Sequence, residues 1–494
     1  MMNNKRAIYL LVVFGLLFLT LIGYITYLEI FYAEQFTESA YNPRNYELDR
    51  KVLRGTVYDK NGVELAYSEK ITEEKSEIID GTEKKWTEEK IVRRYPFDNL
   101  YSHVVGYVSQ DYSGRTLIEN EYNSDLTESD ILSKISGEIK YGEKKGKDVH
   151  LTIDHELQKA AYQAMGSYDG ALVAMNPQTG EILAMVSKPD FNPNPGKFNL
   201  ENLEDTALFS RAIQMTYPPG STYKIITAAA AIANGLEDET YDDTNGRFVI
   251  KSADGKAEND FSCQNVNRKA YGLTDLESGF KVSSNVYFCH IGVTLGTKEL
   301  QAVAKSFLLG RDLAKEPGFD LSVAKSTFQT GSMTEAERAI ASIGQGQTEM
   351  TPLHMALVAS AIANDGVMPR AHLVSRVGAD SKLTQTNAGV RIVESGIARK
   401  IKDMMLTVVE SGTGTAARIN GIKVCGKTGT SENSLTAKGG KDSGKTHALF
   451  VGFAPYDDPQ IAVSVVLEHA GFGGTYAAPI ARSVMQKYLQ SIGY

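Results

Sequence analysis

Ser221 and Lys224 stand three residues apart in Tyr217-Pro-Pro-Gly-Ser-Thr-Tyr-Lys224. At helical spacing this puts a hydroxyl and an amine on one face, about one turn apart. A serine beside an amine at a helix N-terminus can be an activated nucleophile without histidine. Taken alone the pair also fits a capping serine and a solvated lysine. Two later stretches change that balance. Ser283-Ser-Asn285 offers a second hydroxyl and an amide, which point the same way if the backbone is extended. Lys427-Thr-Gly-Thr430 offers a second amine, a hydroxyl and a glycine without a side chain. Each triplet is weak by itself. In this order, roughly sixty and one hundred and forty residues apart, they form a specific combination.

Those residues need rigid elements. Pro218 and Pro219 block a helix, Gly220 turns the chain, and strong helix formers run from Ser221 until Gly235 ends the helix. Lys427 follows Ile422 and Val424 on an expected strand that ends at small residues. Residues 148–153 alternate as a strand, with a helix from Asp154. Gly170–Met175 and Glu181–Val186 flank Asn-Pro-Gln-Thr-Gly as a hairpin. The last strands are Ala448–Phe453 and Ile461–Leu467, before a helix from about Ala478. Between the Ser221 helix and the amphipathic helix near Ile401, polar loops and short elements are expected. Hairpin-joined strands with helices between distant groups make an α+β antiparallel sheet, not βαβ units.

The remainder bounds the setting. With 494 residues, 42% hydrophobic and 23% charged, the chain suits two or three globular domains. A net charge of -8, with nothing in the sequence to suggest a basic face, argues against a general nucleic-acid binder. Residues 7–28 carry no charge and are long enough to span a bilayer. Lys5 and Arg6 precede them and Glu29 follows, which places residues 1–6 in the cytoplasm and the bulk outside. A retained single-pass anchor is expected rather than a cleaved signal. Leu53–Ala66 reads as two short strands around an Asn61-Gly62 turn, and the charge-dense stretch from Ser68 to Arg94 as solvated surface. The flexible run 141–147 separates a domain over 29–147 from a larger one over 148–494. Three cysteines without a CxxC exclude a disulfide framework and a thiolate zinc site, although one cysteine pair can still bridge, and histidines that fall singly argue against a metal site. His155-Glu156 opens like a zinc-protease helix, but Lys159 stands where the second histidine belongs. Gly439–Thr446 matches the phosphate-loop expression, yet a polar stretch precedes it and a strand follows, the reverse of what phosphate binding needs.

The same residues carry a family resemblance. Ser221-x-x-Lys224, Ser283-x-Asn285 and Lys427-Thr-Gly429 resemble the signature of penicillin-binding proteins and serine β-lactamases. Leu53-Arg-Gly-Thr-Val-Tyr-Asp-Lys-Asn-Gly62 resembles the pedestal of class B penicillin-binding proteins, with Lys60 in place of arginine. Ile343-Gly-Gln-Gly-Gln347 with Thr351-Pro352, and Phe450-Val-Gly-Phe-Ala-Pro455, resemble their transpeptidase domain. The resemblance implies a β-lactamase/DD-peptidase-like fold on a small pedestal, and no cofactor or metal. It implies a membrane-bound D,D-transpeptidase that cross-links peptidoglycan stem peptides on lipid-linked glycan strands and is acylated by β-lactams. Ser221 is then the nucleophile, Lys224 its base, Ser283 a proton relay and Lys427 a second cation. Asn285 binds the stem-peptide amide, Thr428 the terminal carboxylate, and Gly429 leaves room for an extended peptide. The backbone N–H groups of Ser221 and Thr430 form the oxyanion hole. A D,D-carboxypeptidase, or a β-lactam sensor or hydrolase, on the same fold is the alternative. A SEDS-type glycosyltransferase is the partner the family suggests.

Overall fold

The computed structural model describes residues 3–37, 52–79, 82–109, 114–128, 145–204, 206–252, 255–256, 260–379, 381–382, 389–431 and 446–494. Helix α1 (Asn3–Thr37) holds an exposed apolar stretch, Ile8–Tyr32, of 25 residues. At 1.5 Å per residue that exceeds a hydrocarbon core of ~30 Å.

Strands β1 (Val57–Tyr58), β2 (Glu64–Ile79) and β3 (Thr82–Arg94) follow, then β4 (Val149–Leu151) and helix α2 (His155–Ala164). Asp59 accepts from the backbone N–H groups of Asn61 and Val63 and sets the turn between β1 and β2. The charge-dense stretch after Ser68 is the outer part of the β2–β3 hairpin, exposed on both faces, with cross-strand pairs Lys75–Glu88 and Glu73–Lys90. Its solvated character is as the composition implies up to Lys90, but Ile91, Val92 and Arg93 at the end of the stretch are buried, where the hairpin meets the rest of the fold; its regular pairing is not evident from composition.

Beneath the hairpin lies a buried ion triad. Glu119 accepts from Arg54 at 2.8 and 3.0 Å and from Arg93 at 2.7 Å, while Arg54 also donates to Asn123. Burial alone would raise the Glu119 carboxyl; the two guanidiniums overcome it and hold the group below its usual range. A Glu119→Ala protein is expected to lose about 3–5 kcal/mol, because two buried cations would lose their counter-charge. Its thermal midpoint, read by circular dichroism, should fall accordingly, and a wild-type midpoint would show that the triad does not hold the pedestal together.

The larger unit is built on β5 (Gly170–Met175), β6 (Ile182–Lys188) and helices α3 (Lys224–Ala233), α4 (Asn285–Ser306) and α5 (Pro352–Ala363). Then come β7 (Val374–Val377), β8 (Ser381–Lys382), α6 (Ser395–Ser411), β9 (Cys425–Ser431), β10 (His447–Ala454), β11 (Ile461–Leu467) and α7 (Gly473–Ser491). Its sheet has five strands in the order β9-β10-β11-β5-β6, all antiparallel, as expected. β10 and β11 are buried at every residue, which explains why they are apolar apart from His447 and Ser464. α2 and α7 cover one face, through Leu157, Ala161, Ala478 and Val484. α3 and α5 lie in the core on the other.

Two local expectations need correction. The region after the Ser221 helix is not short elements: α4 alone runs for 22 residues, interrupted at Gly296. Buried along much of its length, it carries apolar residues around its circumference and so lacks a clean helical period. The segment Gly220–Tyr223 is a 3-10 turn, and the α-helix proper starts at Lys224.

A second sheet, in the order β8-β7-β4-β1-β2-β3, crosses from one unit to the other. β4 pairs in parallel with β1 and antiparallel with β7. The run 141–144 and most of the phosphate-loop-like segment, 439–445, lie outside the described residues.

Candidate active site

The turn that presents Ser221 is held from both sides. Tyr217 and Met350 exchange backbone hydrogen bonds at 2.9 Å, and the Tyr217 hydroxyl donates to Glu468 at 2.6 Å. Gly220 has φ +52° and donates its N–H to Gly344 O at 2.9 Å. A Cβ on Gly344 would lie 2.3 Å from Gly220 O, and one on Gly220 would lie 2.6 Å from Thr430 O. Close backbone approach, with a left-handed conformation at both positions, is what these glycines supply. Ser221 itself is half-buried, and among the described residues nothing hydrogen-bonds its Oγ.

Lys224 and Lys427 are both fully buried. Lys224 Nζ donates to Ser283 O at 2.8 Å, Asn285 Oδ1 at 2.8 Å and Ser283 Oγ at 3.3 Å. Lys427 Nζ donates to the same Ser283 Oγ at 2.8 Å. Ser283 therefore stands between two amines. The rings of Phe288 and Phe280 lie 5.4 and 5.5 Å from Lys224 and Lys427. Among the described residues no carboxylate pairs with either lysine. Burial brings Lys224 down to about 7. Burial first, and the Lys224 charge second, push Lys427 well below the ordinary lysine range. Burial of both amines therefore favours their neutral forms.

Ser283 and Asn285 converge without an extended backbone. Ser283 takes φ +58°, and Ser284 caps α4 by accepting from Tyr287 N. Asn285 is the first helical residue, with Nδ2 donating to Gln264 O at 3.0 Å. Asn265, absent from the residues singled out by sequence, organises this corner. Its Oδ1 accepts from Asn285 N at 2.8 Å, Val286 N at 3.1 Å and Ser284 Oγ at 3.2 Å. Its Nδ2 donates to Asp243 at 2.7 Å. An asparagine amid polar residues sends no signal; only the folded contacts single it out.

Lys427, Thr428, Gly429 and Thr430 lie on β9, at the sheet edge beside the Ser221 turn. A Cβ on Gly429 would lie 2.9 Å from Thr222 Cγ2. The Thr428 and Thr413 hydroxyls are 2.6 Å apart, and Thr430 Oγ1 accepts from Gly473 N, at the start of α7, at 3.4 Å. Thr413 was also missed: Gly412-Thr-Gly414 reads as a turn after a helix, and only the turn's position brings its hydroxyl to the site. Cys425 is a buried small residue, its sulfur near Lys402 O.

Residues 170–486 match the family model of the penicillin-binding protein transpeptidase domain, and residues 54–149 that of the penicillin-binding protein A dimerisation domain. The peptidoglycan D,D-transpeptidase PbpA of Mycolicibacterium smegmatis is 34% identical over 432 residues, covering 81% of this chain and 85% of that protein. Stage V sporulation protein D of Bacillus subtilis is 31% identical over 459 residues, covering 86% of this chain and 68% of that protein. Penicillin-binding protein A of Mycobacterium tuberculosis, solved as a ceftriaxone acyl-enzyme, superposes with TM-score 0.74 at 28% identity, covering 90% of this chain and 99% of that one. The chain belongs to the class B penicillin-binding proteins.

Proposed function

We propose that this protein cross-links peptidoglycan stem peptides by serine acyl transfer at Ser221 and is acylated by β-lactams at the same atom. The observation that carries the mechanism is the Ser283 hydroxyl between two buried amines; among the described residues the Ser221 hydroxyl makes no hydrogen bond. Neutral Lys224 takes the Ser221 proton as Oγ attacks the carbonyl of the penultimate D-alanine. Backbone N–H groups of Ser221 and Thr430 receive the developing oxyanion, each worth about 10²–10³ in rate. As the C–N bond breaks, the proton passes from Lys224 through Ser283 to the leaving D-alanine nitrogen. A stem-peptide amine then attacks the ester, and its proton returns by the same relay. Asn285 keeps an N–H beyond its bond to Gln264 for the stem-peptide carbonyl, and its Oδ1 can share an incoming amide. β9 offers its open edge to an extended peptide.

Thr428 holds the terminal carboxylate in this reading, with Thr413 orienting its hydroxyl. Thr413→Val is expected to lower the second-order rate of penicillin acylation about tenfold, the effect of one weakened bond to a charged group, with little change in thermal midpoint. Stopped-flow acylation measures it; an unchanged rate removes Thr413 from the site.

The anchor over 7–28 holds the chain in the cell membrane, with residues 1–6 cytoplasmic, a pedestal over 29–147 and the catalytic domain over 148–494 outside. Family membership supports a SEDS-type glycosyltransferase as partner. The deciding assay incubates the protein with a D-Ala-D-Ala stem-peptide mimic, with and without a D-amino-acid acceptor. Acceptor-dependent product with D-alanine release is expected. Hydrolysis indifferent to acceptor would make the protein a carboxypeptidase, and no turnover of peptide beside acylation by penicillin would make it a sensor.

A further inference from the structure

Cys263 and Cys289 lie 26 positions apart in the chain, yet their sulfurs are 2.7 Å apart in a small apolar pocket with Phe248, Val286 and Ala339. An approach of roughly 0.7 Å would bring them to the ~2.05 Å of a disulfide. We propose that these two cysteines are a redox modification site, oxidised to a disulfide outside the membrane; this rests on the outward orientation proposed above.

The pair is placed where a covalent tie acts on the active site. Cys263 lies in the strand Phe261–Gln264, opposite Phe248 of a two-stranded ribbon. Cys289 lies on α4, four residues after Asn285. The residues next to Cys263 already hold the start of that helix: Gln264 O accepts from Asn285 Nδ2, and Asn265 Oδ1 accepts from Ser284, Asn285 and Val286. A sulfur–sulfur bond one turn into α4 fastens the ribbon to the helix that presents Ser283 and Asn285. Cys425 serves as the internal contrast, since it is also buried but has no cysteine beside it.

The chemistry balances with an oxidant of the protein-disulfide class, as found in extracytoplasmic compartments. The Cys263 thiolate, at the less buried cysteine, attacks one sulfur of that disulfide and releases one of its thiolates. Cys289 loses its proton and attacks Cys263 Sγ, forming the new bond and releasing the second thiolate. The oxidant gains two electrons, and the two cysteine protons end on its two thiols.

The test uses the full chain in native membranes, quenched in acid, denatured and treated with a maleimide. One tag, on Cys425, is expected without reductant and three tags after reduction, with a peptide pair linked through Cys263 and Cys289. Reduction is then expected to lower the thermal midpoint by on the order of 5 °C and to speed hydrogen exchange at the Asn285 and Val286 amides. A Cys263→Ser/Cys289→Ser protein should be indifferent to reductant in both. Protease added to intact protoplasts reports orientation separately. Three tags with the catalytic domain digested from outside overturn the disulfide and leave the orientation standing. Three tags with the domain protected overturn both, and acylation by penicillin of the detergent-solubilised chain still tests the enzyme.

Discussion

Ser221→Ala protein is expected to melt at the wild-type temperature and to take no covalent label from fluorescent penicillin. The stability half follows from the packing. Ser221 Oγ makes no hydrogen bond among the described residues, so its removal leaves no buried partner unsatisfied. The turn is held by Gly220, Gly344, Tyr217 and Met350, none of which depends on the hydroxyl. The chemical half is absolute for the covalent step, because alanine has no atom to form the ester. For turnover, loss of a serine nucleophile elsewhere removes about 10⁶ in rate. Gel fluorescence against the parent protein decides it. Persistent labelling would move the nucleophile to another hydroxyl, with Ser283 the first candidate.

Lys224→Met is the second large effect. The substitution keeps length and an apolar stem in a fully buried site, so the fold is expected to persist with a loss from the unmatched Ser283 O and Asn285 Oδ1. Without the base, acylation should fall by about 10²–10⁴. The pH profile separates a base from a mere support. Burial lowers the Lys224 ammonium to about 7, and the neutral amine is the active form. Wild-type acylation should therefore rise as pH increases through about 7 and level off above it. In Lys224→Met that limb should vanish from the residual rate. If it stays, the proton acceptor is Lys427 or another group.

The candidate site residues of this protein were easier to read than their geometry. Ser221, Lys224, Ser283 and Lys427 announce themselves because few residue types can do acyl transfer, and their order is informative. The five-stranded sheet was legible from apolar runs broken by turn residues. α4 was not, because a helix buried around much of its surface has no polar face to set a period. Nor was the left-handed Ser283, since that conformation is imposed by the capped helix that follows it. Asn265 and Thr413 act through hydrogen bonds between segments far apart in sequence, and local composition carries no trace of such pairings.

The strand Val149–Leu151 has a consequence for how load passes through the molecule. It begins the larger unit in sequence, yet it is clasped by Val57–Tyr58 on one side and Val374–Val377 on the other. Thr152 N continues the contact to Leu373 O at 2.7 Å, and His372 exchanges hydrogen bonds with Gly180 and Ile182 beside the first hairpin of the catalytic sheet. A flexible linker would let the two units swivel. Here a rotation at this junction must shear a hydrogen-bonded ladder, so a torque on the hairpin arm is transmitted into the enzyme instead of being lost at a hinge.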